Sequence, residues 1–388
     1  MRASQEYMKE HAMDKLRTAL IGCGKVAHTH AVALSQLPES DFVAVYGRNL
    51  DRARAFAERY GVKAYANVQD MVTDANVQAV IVCTPHPVHA LHATLAAEAG
   101  VHVLVEKPLA ASLGDCDAIL VATAKADVKL GVISQRRLYR PVQRVKAAIE
   151  AGKVGEPVLG TVIMLGWRDE AYYQSDPWRG TWDREGGSLL VNQAPHQFDL
   201  LHWFMGPIDE LFGYWDNVNH PYIEVEDTAV AVLRFKNGAL GSIVVSNSQK
   251  PGIYGKVHVH GKNGASVGVQ TDGGAMFIAG MSEILEPPIN DLWTVPGEEG
   301  LLPQWQAEDR KSFQEIDPTV HYHCLQDQDF LRAILENREP MVTGTEGRRT
   351  VEILTAIYRS RRDRRPVKFP LSAEDERDDF DGRRHTYA

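Results

Sequence analysis

The chain has 388 residues, 44% of them apolar and 24% charged, the composition of a globular protein whose core needs no staples. At ~100–200 residues per domain, that length predicts two domains. With 42 Lys+Arg against 51 Asp+Glu the net charge is −9, the wrong sign for a protein that grips nucleic acid by its phosphates. No apolar run is long enough to suggest a membrane span. Cys23, Cys83, Cys116 and Cys324 are irregularly spaced without a CxxC pair, so neither a disulfide framework nor a zinc site is predicted. Residues 1–15 carry charges where a secretory leader needs an apolar stretch. They read as an N-terminal extension, and a cytoplasmic setting is expected.

From Leu16 onward, short apolar runs alternate with helical spacing. Strands are predicted at Leu16–Ile21, Phe42–Tyr46, Val77–Cys83, Val101–Val105 and Leu130–Ile133. Helices are predicted between them, at Val26–Leu37, Arg52–Tyr60, Val88–Ala99 and Asp115–Ala126. This alternation implies βαβ units and a parallel sheet covered on both faces, an α/β Rossmann domain over residues 16–138. After Pro141 the texture changes. A helix at Val142–Ala151 precedes alternating strands at Val158–Leu165, Asp227–Phe235, Ala239–Ser246, Lys256–His260 and Ala265–Val269, with Asn237-Gly238 as a hairpin turn. Pro287-Pro288 and Gly297–Gly300 mark loops, and late helices are predicted at Tyr322–Leu335 and Thr350–Arg359. Residues 139–371 therefore read as an α+β domain with a large, mostly antiparallel open sheet, serving substrate binding and oligomerisation. Residues 372–388 form a charge-dense polar tail. Val230, Val232, Ile243 and Val245 are assigned to one exposed sheet face, an apolar liability unless another copy covers it.

Gly22-Cys23-Gly24-Lys25-Val26-Ala27 fits GxGxx(G/A) between the first strand and the first helix. Glycines there permit a tight turn, and the backbone around Gly22, Gly24, Lys25 and Val26 can approach a pyrophosphate at the helix N-terminus. The end of the second strand should choose between cofactors. NAD enzymes usually place Asp or Glu there for the ribose 2′-hydroxyl. This chain has Gly47, Arg48 and Asn49 instead. A guanidinium pairs with the 2′-phosphate that an acid would repel, so NADP(H) is expected ahead of NAD(H). The alternative is a solvated Arg48, with Asn49 or Asp51 reaching the ribose.

Two further stretches follow predicted strands: Thr84-Pro85-His86-Pro87-Val88-His89 and Glu106-Lys107-Pro108. With the glycine loop they resemble the Gfo/Idh/MocA oxidoreductase family, over about Leu16 to Pro370. The resemblance implies that Lys107 is catalytic, that Glu106 and Lys107 lie against the nicotinamide ribose, and that Thr84, Pro85, His86 and His89 touch the cofactor. The later stretch from Gly186 to Asp199 resembles the family's GG-x-L-x-D-x-G-x-H-x-x-D, with His196 and Asp199 matching. Asn192 stands where the family often has aspartate and Ala194 where it often has glycine. The Asn-Gln form resembles a sugar and glycoside dehydrogenase subgroup, as do the stretches Trp167–Tyr173 and Trp178–Trp182. The resemblance also implies dimers or tetramers built through the open sheet.

Oxidising a secondary alcohol needs a hydride acceptor, a base and something to stabilise the developing alkoxide. His196 is assigned as base, since an ordinary imidazole titrates near ~6.5. Lys107 is the electrostatic partner. Asn192 is the orienter, because an amide takes no proton at neutral pH. Trp167, Tyr172, Tyr173, Trp178 and Trp182, with Arg168 and Arg179 interleaved, suit a carbohydrate-facing loop; the alternative is an anchor tying that loop to the sheet. Trp178 and Arg179 would close over the nicotinamide, with Gln135 beside it. Arg136 and Tyr139, at the domain junction, suit an anionic sugar such as a phosphate or nucleotide sugar, or else brace the hinge. Arg168 and Tyr172 are expected to line the substrate side, and the stretch His321-Tyr322-His323, with His321 foremost, the same cleft. His86, His89 and His92 do not share one helix face, so no metal site is assigned. The reading is an NAD(P)-dependent oxidoreductase acting on a ring hydroxyl of a sugar, glycoside or cyclitol. Its expected partners are a small carbohydrate and copies of itself, not nucleic acid or membrane. Two alternatives stand beside it: a glycoside-cleaving enzyme with retained cofactor, and a non-catalytic sensor, the latter opposed by the presence of Lys107 and His196.

Overall fold

A computed structural model describes residues 15–271 and 287–374. The N-terminal extension and the polar tail lie almost wholly outside the described residues. Strand β1 (Leu16–Ile21) sits inside a six-stranded sheet with β2 (Ser40–Tyr46), β3 (Lys63–Tyr65), β4 (Ala79–Val82), β5 (His102–Val105) and β6 (Leu130–Val132). The order is β3-β2-β1-β4-β5-β6, and every pairing is parallel. Helices α1 (Lys25–Gln36), α2 (Leu50–Tyr60), α3 (Val68–Asp74), α4 (His89–Glu98) and α5 (Leu113–Lys125) make the crossovers. Val80, Val82, Val103 and Val105 are wholly buried, as strands covered on both faces must be. The strand order reverses between β1 and β4, and ligands bind in the crevice outside the strand ends at such a reversal.

Helix α6 (Arg140–Glu150) leads into the second sheet. Its strands are β7 (Pro157–Trp167), β8 (Ile208–Asp216), β9 (Thr228–Phe235), β10 (Leu240–Ser246), β11 (Ser248–Gly261), β12 (Ser266–Gln270), β13 (Ile289–Trp293) and β14 (Val367–Lys368). They run in the order β13-β12-β11-β7-β10-β9-β8-β14. The β7–β10 pair is parallel and the others are antiparallel. Helix α7 (Glu170–Gln174) follows β7, and α8 (Pro195–Met205) and α11 (Gly344–Asp363) cover one face of this sheet. Helices α9 (Leu302–Gln314) and α10 (His321–Leu335) follow β13. Helix α10 turns back to the first sheet, where Phe330 and Leu331 join Leu20, Leu34, Ile81 and Leu104 in one core. The two lobes are thus interlocked.

The uncovered face of the second sheet is apolar, but its membership corrects one expectation. Val230 and Val232 are exposed, whereas Ile243 and Val245 are wholly buried beneath α8 and α11. Register is the reason. Val244 pairs with Val230, and Ile243 with Ala231, so the alternation of side chains sends Val244 outward and its neighbours inward. Ile163, Val244, Val230 and Tyr214 form one in-register outer row across β7, β10, β9 and β8.

Candidate active site

The turn after β1 is shaped for an anion. Gly22 has φ +115°, and a Cβ there would lie 2.9 Å from the Cys83 carbonyl carbon and oxygen, so only glycine fits. Gly24 caps α1 with no side-chain hydrogen bond, nothing lies within 4 Å of where its Cβ would be, and the first turn of α1 holds no acidic residue. Open backbone N–H groups at a helix start favour a phosphate, so these residues fit a dinucleotide's pyrophosphate. Gly24, Lys25 and Val26 line a cleft between the lobes.

The end of β2 lies outside the residues lining that cleft. Gly47 is small for a packing reason: a Cβ would sit 2.9 Å from Cys23 Sγ and 3.0 Å from Ala53 Cβ. The Asn49 side chain accepts the Arg52 N–H at 3.0 Å and so caps α2. Arg48 is exposed.

Across β4 and β5, Thr84, Pro85, His86 and His89 line the cleft with Glu106 and Lys107. His89 lies 2.8 Å from the Thr84 carbonyl and 3.0 Å from that of Pro108, joining the two loops. His86 Nε2 donates to the Glu185 carbonyl, and burial holds its ring neutral, down to about 3. His92 meets the Val88 carbonyl at 2.9 Å. Each of the three histidines is therefore spent on backbone. The Lys107–Pro108 peptide is cis. Lys107 Nζ donates to the Asn192 carbonyl at 2.8 Å, and burial brings its ammonium down to about 8.

Ser188 and the π-helical turn Leu189–Gln193 enter α8, fixed by Glu226 Oε1, which accepts from the N–H groups of Ser188 (3.0 Å) and Leu190 (2.9 Å). That turn places Asn192 and Gln193 in the cleft wall, with His196 one turn on. Burial, then Arg136 and Lys107, holds His196 well below its ordinary titration, so the ring is neutral at pH 7. Asp199 turns away. It takes a bidentate pair from Arg137 at 2.8 and 2.6 Å and the Ser134 hydroxyl at 2.5 Å, bracing the junction.

Gln135, Arg136 and Tyr139 close one side of the cleft, and Arg168, Tyr172, Trp178 and Arg179 the other. Arg179 stacks on Tyr172 (4.4 Å) and Trp178 (4.5 Å) and donates to the Tyr172 hydroxyl at 2.5 Å. Asp176 lies 3.4 Å from both Lys25 and Arg179, linking the lobes at the mouth. The aromatic stretch divides its work. Tyr172 and Trp178 face the cleft, while Trp182 packs on Trp215 and Tyr358, Trp167 on His220, and Tyr173 is buried beside Ile223 and Val225.

His321 is not among the cleft-lining residues; His323, on the same helix, is. Cys83, Met164, Asp176 and Gln193 also line the cleft and were not anticipated. Nor were two buried groups behind it. His30 donates to Asp327 at 2.9 Å and to Glu106 at 3.2 Å, and His323, its ring held neutral by burial and by His30, down to about 4, lies against the same groups. Glu185 accepts from Asn192 Nδ2 at 2.5 Å and from the Gly180 N–H at 2.6 Å. Glu185 stands directly before Gly186-Gly187, the one local hint of its place.

An anion-ready helix start on one lobe shares the cleft with Asn192 and His196 from the other, an arrangement that suits a dinucleotide-dependent oxidoreductase. The comparisons agree. Residues 16–134 match the oxidoreductase family with an NAD-binding Rossmann fold, and residues 142–267 match the GFO/IDH/MocA C-terminal domain. The chain belongs to the GFO/IDH/MocA family of NAD-binding oxidoreductases. It is 34% identical over 257 residues to myo-inositol 2-dehydrogenase of Thermotoga maritima, covering 64% of this chain and 74% of that enzyme. It is 28% identical over 241 residues to D-apiose dehydrogenase of Rhizobium rhizogenes, covering 62% and 68%. Among solved structures, the WlbA dehydrogenase of Bordetella pertussis, in complex with NADH and UDP-GlcNAcA, superposes with a TM-score of 0.81 at 30% identity, over 92% of this chain and 99% of that one. Among the described residues, no helix is long and apolar enough to cross a membrane.

Proposed function

We propose that the enzyme oxidises a secondary ring hydroxyl of a sugar, glycoside or cyclitol, and that the preferred sugar carries an acid or phosphate group. One juxtaposition carries this: Lys107, Asn192 and His196, from two lobes, share a cleft with the open start of α1. A nicotinamide bound there supplies the hydride acceptor. The neutral imidazole of His196 takes the hydroxyl proton. The Lys107 ammonium stabilises the oxygen as negative charge develops. Asn192, clamped through its carbonyl by Lys107 and through its amide by Glu185, orients the hydroxyl. The buried guanidinium groups of Arg136 and Arg168, set in the cleft wall with Tyr139 and Tyr172, favour an anionic substrate. The bound UDP-GlcNAcA of the Bordetella relative supports that last point.

At the adenosine end, NADP(H) is proposed ahead of NAD(H), because no acid ends β2 and Arg48 is free to meet a 2′-phosphate. The outer row of Ile163, Val244, Val230 and Tyr214 supports a homo-oligomer built through the open sheet face. The test is a panel of neutral and acidic sugars, glycosides and cyclitols with NAD+ and NADP+, following reduced nicotinamide and released aglycone together. Stoichiometric reduction supports the proposal. Aglycone without reduction, or neither signal, overturns it.

A further inference from the structure

Glu185 lies outside the cleft lining, yet it is wholly buried against a residue that lines it. Each of its oxygens has one donor: Asn192 Nδ2 on Oε1 at 2.5 Å and the Gly180 N–H on Oε2 at 2.6 Å. Burial lifts the Glu185 carboxyl to about 7; its ionised form, which prevails above that pH, only accepts and so decides which end of the Asn192 amide faces it. The Asn192 backbone is held separately by Lys107 Nζ at 2.8 Å. With backbone and NH2 both fixed, the free end of the amide is Oδ1.

We propose that Glu185 is a positioning residue of the reaction, holding the NH2 group of Asn192 so that Oδ1 is the atom offered to the substrate hydroxyl. The inference rests on the reading that Asn192 orients substrate. The hydroxyl donates to Oδ1 in the ground state, which leaves its oxygen lone pairs for Lys107, and its single proton turns from Oδ1 to His196 as transfer begins.

The pair is chemically asymmetric, and that makes it testable. In Glu185→Gln the Gly180 N–H still claims an oxygen, so the new NH2 faces Asn192. The Asn192 amide must then flip and present a donor to the cleft. In Asn192→Asp two carboxylates meet at hydrogen-bond distance and must share a proton. The double variant Glu185→Gln/Asn192→Asp restores the pattern: Gln NH2 donates to Asp, Gly180 keeps its acceptor, and an oxygen again faces the cleft. The groups facing Glu185 from other elements are Arg179, Lys107, Tyr172, Tyr173, Glu226, Tyr358 and the His86 ring on its carbonyl. All are retained in the double variant.

The experiment measures kcat and KM at several pH values for the full-length enzyme and for Asn192→Ala, Glu185→Gln, Asn192→Asp and the double variant, each checked for NAD(P)H binding. Both charge-altering single variants should lose about 10–100-fold in kcat, and the double variant should return to within a few-fold of the parent. If Asn192→Ala keeps parental kcat/KM, the orienting role of Asn192 fails. If Asn192→Ala is impaired but the double variant is no better than the product of the singles, the Glu185 assignment is overturned. Should Glu185→Gln not fold, thermal melts of Asn192→Asp decide. Like charge raises a folded-state carboxyl above its unfolded value, so stability is kept at low pH and lost as pH rises. Melting that falls no more steeply from pH ~5 to ~8 than in the parent overturns the proposal.

Discussion

Lys107 titrates at about 8 rather than 10.5, because burial disfavours its charge and Arg136 and Arg179 add to that, against the pull of Glu106 and Glu185. If the ammonium is what stabilises the developing alkoxide, initial-rate kcat/KM for alcohol oxidation should fall through pH ~8, above the ionisation of Glu185 at about 7. One unit above that value only about a tenth of the side chain is protonated, so the loss by about pH 9 should be near tenfold. His196 sets the other limb. Its ring is held well below 6.5, so the acid limb lies below the ordinary imidazole range and not at it. Lys107→Met keeps much of the volume and removes the charge. It should cost about 10²–10³ in kcat, ~2.7–4 kcal/mol of transition-state stabilisation, and the alkaline limb should vanish from the residual rate. NAD(P)H binding, followed by fluorescence, should change only a few-fold. A parental rate that rises through pH ~8 would mean that the neutral amine is the base. A limb that persists in Lys107→Met would mean that Lys107 is not its source.

Arg48→Glu should weaken NADPH binding by about tenfold and leave NADH nearly unchanged, since only the former carries a 2′-phosphate; equal effects on both refute the NADP(H) preference. It is a cleaner probe than an acid at position 47, where Cys23 and Ala53 leave no room for a side chain. Gly22→Ala combines φ +115° with contact against the Cys83 carbonyl, so a denaturant melt should show about 1–3 kcal/mol of lost stability together with lost NAD(P)H binding. Val230→Lys puts a charge in the outer apolar row, and sedimentation should show the parental oligomer dissociating; a parent that already sediments as a monomer refutes the proposed interface.

The cofactor side was legible because its parts are contiguous in the chain. Gly22–Val26, Thr84–His89 and Glu106–Lys107 each sit at one strand end, and a parallel sheet brings strand ends together without further instruction. The opposite wall of the cleft was half legible. His196 and Asn192 could be read from one stretch, but Glu185, His30 and Asp327 matter through partners; His30 and Asp327 are 297 positions apart. No local pattern encodes such a pairing. Strand β13 and helix α9 were missed for a different reason. They follow the Pro287-Pro288 loop as short amphipathic pieces, and their packing on β12 and on each other, not their periodicity, makes them regular. The aromatic stretch is split: Tyr172 and Trp178 line the cleft, and Tyr173 and Trp182 anchor the stretch.

The late helix α10 gives the interlocked lobes a chemical consequence. It delivers Asp327 and His323 to a site whose other members, His30 and Glu106, belong to the nucleotide-binding lobe. Burial works against a charged His30, but Asp327 and then Glu106 overcome it and hold the ring as an imidazolium, up to about 10. Burial likewise pushes Glu106 toward protonation, and His30 outweighs it, keeping the carboxylate ionised down to about 2. That carboxylate accepts the Lys107 backbone N–H at 3.0 Å and is the strongest influence opposing the fall in Lys107's pKa. Without Asp327 the imidazolium would lose its main support, Glu106 would lose its counter-charge, and the protonated form of Lys107 would become scarcer at neutral pH. The protonated form of Lys107 therefore depends on a helix that reaches the first lobe only after the chain has built the second sheet.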